Sequence, residues 1–150
     1  MELKEIIEII APCGLDCLKC VAYTNGMIQK TSKELQKLLG NFEGYAQKYS
    51  KFYPAFQDYE AFNRMLQYLA EPRCDGCRKG HCLYENCGVA TCDKIASGQY
   101  AFCFECEEFP CDKSGFHPDL KDRWTKRNHR MGEVGVEPYY EESKDIPRYV

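Results

Sequence analysis

The chain has 150 residues, 44% of them hydrophobic and 29% charged, which fits one globular domain and speaks against intrinsic disorder. Its 20 Lys and Arg against 23 Asp and Glu give a net charge of −3, which argues against nucleic acid as a partner, because phosphate binding draws on a cationic surplus. No apolar run approaches the roughly 20 residues of a membrane span and no basic leader opens the chain, so the expected location is cytoplasmic, away from membranes.

In chain order, Leu3, Ile6, Ile7 and Ile10 recur at helical spacing, and Pro12 stops them. A strand is the alternative, since Ile is β-branched. Asp16 is placed to cap a short helix through Cys17, Cys20 and Val21. Thr31 and Glu34 read as a capping box, followed by Leu35, Leu38, Leu39, Phe42, Tyr45, Ala46 and Tyr49 on a 3.6-residue period. Gly40 and Gly44 weaken this helix, and Pro54 breaks it. A second helix is expected from about 58 to 70, with Phe62, Met65, Leu66 and Leu69 on one face and Pro72 as its stop. The two form a helical hairpin, about 31–70, whose aromatic face should pack on the cysteine-rich lobe or on the last helix.

Between 73 and 111 the sequence predicts one helical turn, Cys92 to Ser97 with Gly98 as its cap, and a short strand from Tyr100 to Phe104. A last helix fits Pro118 to Met131, with Leu120, Trp124 and Met131 on one side and Gly132 as its end. Gly132 to Gly135 reads as loop, and the tail has room for one more turn.

The eleven cysteines dominate the reading. An odd number excludes a complete set of intrachain disulfides, and a reducing compartment makes thiolate ligation of metal the expected use. Cys74/Cys77 and Cys103/Cys106 are C-x-x-C pairs, each half of a tetrahedral zinc site, and Asp75-Gly76 supplies the turn that lets two sulfurs converge. Cys82, Cys87, Cys92 and Cys111 bring this group to eight, enough for two four-cysteine sites. The preferred assignment is sequential, with Cys74, Cys77, Cys82 and Cys87 on one ion and Cys92, Cys103, Cys106 and Cys111 on the other. A cross-braced pairing is the rival.

Cys13, Cys17 and Cys20 form a separate C-x3-C-x2-C group, in which Gly14 lets the chain fold back. Its fourth position is open to His81, His117, Asp16, a cysteine of the second group, water or a ligand. The spacing also matches the iron–sulfur motif of radical S-adenosylmethionine enzymes. However, Lys19 stands where those enzymes place an aromatic, and the chain lacks their alternating βα units. An iron–sulfur cluster without that chemistry is the alternative cofactor to zinc. The basic run Lys121 to Arg130 around Trp124 reads as a solvated helix face with Trp124 turned inward, rather than as a nucleic-acid surface.

The segment Ile10-Ala11-Pro12-Cys13-Gly14-Leu15-Asp16-Cys17, with Cys20, Ala22 and Tyr23, resembles a cysteine-rich prokaryotic family, domain of unknown function 3795. So do Cys74-Asp75-Gly76-Cys77-Arg78 and Cys103, Cys106, Phe109-Pro110-Cys111, and the resemblance extends to Gly135-Val136-Glu137 near the end. It implies bound metal, with zinc first, and no established activity. Some relatives end in a cysteine that this tail lacks. The expected fold is a small α-rich domain with minor β structure, a helical hairpin joined to an irregular lobe (about 73–111, with 13–20) knitted by metal. The expected role is an interaction or regulatory module for a protein partner. The rival is a zinc or iron–sulfur enzyme or redox protein working at Cys13, Cys17 and Cys20.

Overall fold

The structure, a computed structural model, describes residues 1–80 and 82–149. It is α-rich, with helices α1 (Leu3–Ile9), α2 (Met27–Leu39), α3 (Glu43–Tyr49), α4 (Tyr59–Ala70), α5 (Asp93–Ala96), α6 (Pro118–Val134) and α7 (Val136–Ser143). Strand pairing among the described residues is limited to two isolated bridges, Ile10 with Asp16 and Tyr23 with Cys74.

The first helix forms as its periodicity predicts, and Asp16 caps a single 3-10 turn, Cys17–Lys19, by accepting from the Leu18 N–H at 2.8 Å. The hairpin departs from expectation at its start. α2 begins at Met27, ahead of Thr31, with Gly26 as its N-cap, and the buried Gln29 Oε1 reaches back to accept from the Asn25 N–H at 2.7 Å. α2 then stops at Leu39, where Gly40 turns with a φ of 51°, so the long periodic run is two helices rather than one.

The aromatic face of the hairpin packs on itself. Phe42 is ringed by Tyr45, Tyr49, Phe56 and Tyr59, with centroids 5.3 to 6.5 Å away. α2 packs against α4, and outside the hairpin its main neighbour is the Cys17–Lys19 turn. The expected burial of this face on the lobe or on the last helix is therefore not found: Leu38 is 74% exposed and Phe52 76%.

Residues 100–104 do not form a strand. The Ala101 and Phe102 N–H groups donate to the Glu105 carboxylate, at 2.6 and 3.0 Å, and a 3-10 turn follows at Cys103–Glu105. α6 runs past Gly132 to Val134, because Gly132 sits inside the helix next to the Phe104 ring and Gly135, with a φ of 90°, makes the turn instead. The tail forms two turns of helix, α7, which folds back onto α1 and α6.

Two core clusters result. Ile6, Ile10, Phe102, Met131 and Tyr139 join α1, α6 and α7. Ala11, Cys13, Cys17, Cys87, Val89, Cys103 and Trp124 form the other, so thiols occupy positions that aliphatic side chains fill in ordinary cores.

Candidate metal centre

Backbone pairing brings the two cysteine groups together. Thr24 N–H donates to the Cys74 carbonyl at 2.8 Å and Arg73 N–H to the Ala22 carbonyl at 3.3 Å, which sets the chain after Cys20 alongside Cys74. Arg78, next to Cys77, spreads its guanidinium over three carbonyls, those of Ile7 (2.6 Å), Ala101 (2.6 Å) and Ile10 (3.0 Å). Buried Asn128 of α6 ties the two groups from the other side. Its amide donates to the Cys13 carbonyl and accepts from the Phe104 N–H, both at 3.1 Å. Gly14 folds back as expected, with a φ of 84°, and its carbonyl accepts from the Tyr139 hydroxyl at 2.8 Å. Gly88 is required by close approach: a Cβ there would lie 1.8 Å from the Lys113 carbonyl oxygen.

The eleven cysteines are free thiols, and they sort into two cavities. Cys92, Cys103, Cys106 and Cys111 line one of about 330 Å³. Cys13, Cys17, Cys20, Cys74, Cys77, Cys82 and Cys87 line the other, of about 350 Å³. Val89 stands in the wall of both. The N-terminal three are thus not a separate site. In the seven-thiol cavity, side-chain contacts run in a line from Cys17 to Cys77, to Cys82 and to Cys87. Hydrogen bonds from neighbouring thiols favour the thiolate of Cys17, whose pKa is lowered to about 7, and of Cys82, while Cys77 and Cys87 as donors are pushed up. Burial raises Cys13.

The groups around the cavities suit bound thiolates. Gly76 N–H points at Cys74 Sγ at 3.4 Å, the Tyr149 hydroxyl at Cys20 Sγ at 3.9 Å, and Lys94 Nζ at Cys106 Sγ at 3.7 Å. Burial pushes Cys103 up to about 12, against the opposing effect of the Trp124 indole N–H beside it. That N–H is buried and short of full hydrogen-bond geometry with any partner in the protein, as a donor reserved for a charged sulfur would be. Thiol donors of this kind suit soft metals by their chemistry. As the side chains stand, no three His, Cys, Asp or Glu among the described residues converge closely enough to hold an ion.

Of the suggested fourth ligands to the N-terminal group, His117 is exposed and lines neither cavity, and Asp16 spends its carboxylate on the Leu18 cap. His81 lies outside the described residues. Cys77 is the group that reaches Cys17. Sequence reasoning missed the cationic wall of the seven-thiol cavity: Arg123 and Arg127 of α6, and Arg148 of the tail. The signal for the first two was available, since Leu120, Arg123 and Arg127 share one helix face at i, i+3 and i+7 and all line the cavity. Lys19 Nζ holds the tail in place through the Ser143 and Ile146 carbonyls, both at 2.8 Å.

The fold and site define a small, α-rich, cysteine-rich domain. Residues 9–115 match the family described as "Protein of unknown function (DUF3795)", and the chain belongs to that family. The match ends before α6, so Arg123, Arg127, Arg148 and Tyr149 come from outside the matched residues. No curated protein and no solved structure matches the chain.

Proposed function

We propose that this protein is a zinc–thiolate protein in which the metal organises the cysteine-rich lobe, and that it works as an interaction or regulatory module rather than as an enzyme. The observation that carries the reading is the sorting of eleven unbridged thiols into two cavities of four and seven. Soft thiolate donors in such sets take zinc or iron–sulfur clusters. Zinc comes first because the C-x-x-C pairs Cys74/Cys77 and Cys103/Cys106 each have the spacing of half a tetrahedral zinc site. Neither cavity wall includes an imidazole among the described residues, and the seven-thiol wall has no carboxylate, so acid–base partners for catalysis are scarce there.

The test is metal analysis of protein purified without air from its native host. Colourless protein with stoichiometric zinc is expected. A brown protein carrying iron and acid-labile sulfide, or a fully folded, reduced and metal-free one, would overturn the reading.

A further inference from the structure

We infer that the cleft between α6, the Cys17–Lys19 turn and the returning tail binds a small phosphate ester, with Arg127 as its anchor. The inference stands apart from the zinc–thiolate reading above.

The first argument is an unpaired charge. Arginine stays protonated in proteins, and its five N–H groups need acceptors once water is withdrawn. Arg127 is half-buried, and its Nε is wholly buried without a hydrogen-bond partner. Among the described residues it makes no ion pair, whereas its basic neighbours on the same helix do. Lys126 meets Asp122 at 2.6 Å, and Arg130 meets both oxygens of Glu142, at 2.6 and 2.9 Å. A guanidinium withdrawn from water in this way is costly until an anion completes it.

The second argument is the cleft itself. It encloses about 360 Å³, within the roughly 300–1,000 Å³ of small-ligand sites. Its wall carries Lys19, Lys126, Arg127, Arg130 and Arg148 against Asp16 and Glu142, a cationic excess on a chain whose net charge is −3. Both carboxylates are engaged, Asp16 by the Leu18 N–H at 2.8 Å and Glu142 by Arg130. Arg148 donates from Nη1 to the Asp16 carbonyl at 2.8 Å, which leaves the rest of its fork. The Lys126 pair is an exposed one and gives way at little cost. Arg127, Arg148 and Lys126 therefore have N–H donors to offer. Three cationic donors suit a phosphate dianion with three terminal oxygens, whereas one arginine already satisfies a carboxylate. Leu15, Ile146 and Pro147 supply apolar wall for the organic part of the ester.

The test is isothermal titration of the full, reduced chain at fixed ionic strength with inorganic phosphate, phenyl phosphate and acetate as probes. Saturable one-to-one binding is expected for both phosphates and none for acetate. Arg127→Gln should weaken it about tenfold or more, the scale of one charge-assisted hydrogen bond. Ile146→Glu puts a carboxylate on an exposed rim position away from the thiols, and should weaken binding by repulsion. That second variant keeps the test decisive where the Arg127 variant fails to fold. No saturable phosphate binding, or binding that either folded variant leaves unchanged, would overturn the inference. Acetate binding as tightly as phosphate, or phenyl phosphate binding more weakly than inorganic phosphate, would overturn the ligand class. The metal content of the same wild-type protein tests the zinc–thiolate reading separately.

Discussion

The helical hairpin and the cysteine lobe solve the same problem by opposite means. The hairpin, from α2 to α4, satisfies its backbone within regular helices and holds together through an aromatic cluster around Phe42, while Leu38, Phe52 and Met65 stay exposed. The lobe has one-turn helices and little regular pairing. Its backbone is satisfied by side chains, with Arg78 on three carbonyls, Glu105 on two N–H groups and Asn128 on both cysteine groups. Its core is built from thiols and Trp124. Order in the hairpin is local, whereas order in the lobe depends on groups distant in sequence meeting at the sulfurs. Metal should therefore matter greatly to one region and little to the other.

Removing metal with a strong chelator under reducing conditions should separate the two regions most sharply. Structural zinc in small modules is worth on the order of 10 kcal/mol. The near-ultraviolet signal of Trp124 should collapse while most of the hairpin's far-ultraviolet helicity persists. Simultaneous loss of both signals would mean that the hairpin depends on the lobe.

Within the lobe, Cys77→Ser should cost more stability than Cys17→Ser, because residues 73–111 have little apolar periodicity of their own and depend on metal for their order, whereas residues 13–20 are flanked by apolar segments. Both should lose several kcal/mol, in keeping with the loss of structural metal. Thermal melts of the two variants compare them, and an equal or larger loss for Cys17→Ser would contradict the idea that the second cysteine group carries the structural metal.

Asn128→Ala comes next, at about 2–3 kcal/mol, since it strands the half-buried Phe104 N–H and removes the buried tie between α6 and the Cys13 carbonyl. Urea denaturation of the metal-loaded protein measures it. A near-zero change would show that metal alone holds α6 to the cysteine loops.

The smallest effect belongs to the hairpin surface. Leu38→Gln should change stability by less than about 0.5 kcal/mol, because this side chain stands in solvent. A substantial destabilisation by the same assay would mean that the face is covered in solution.

Much of the architecture was legible in the sequence, for identifiable reasons. α1 and α4 follow from apolar spacing ended by proline, and the Asp16 cap and the Gly14 reversal follow from local chemistry. The misreadings fall where groups outside the local pattern took over: α2 starts from Gly26, with Gln29 tied back to the Asn25 N–H, rather than from Thr31, Glu105 occupied the donors a strand needed, and Gly135 rather than Gly132 ended α6.

The sequence by itself determined that the protein carries eleven thiols in numbers and spacings suited to metal, because C-x-x-C geometry is local and a short chain segment sets it. Tertiary structure decided how those thiols are shared out, four to one cavity and seven to the other, with three arginines facing the larger set. That division depends on the Tyr23–Cys74 bridge, the Arg78 and Asn128 anchors and the returning tail. These contacts span 51 to 127 positions along the chain, beyond the reach of any spacing rule.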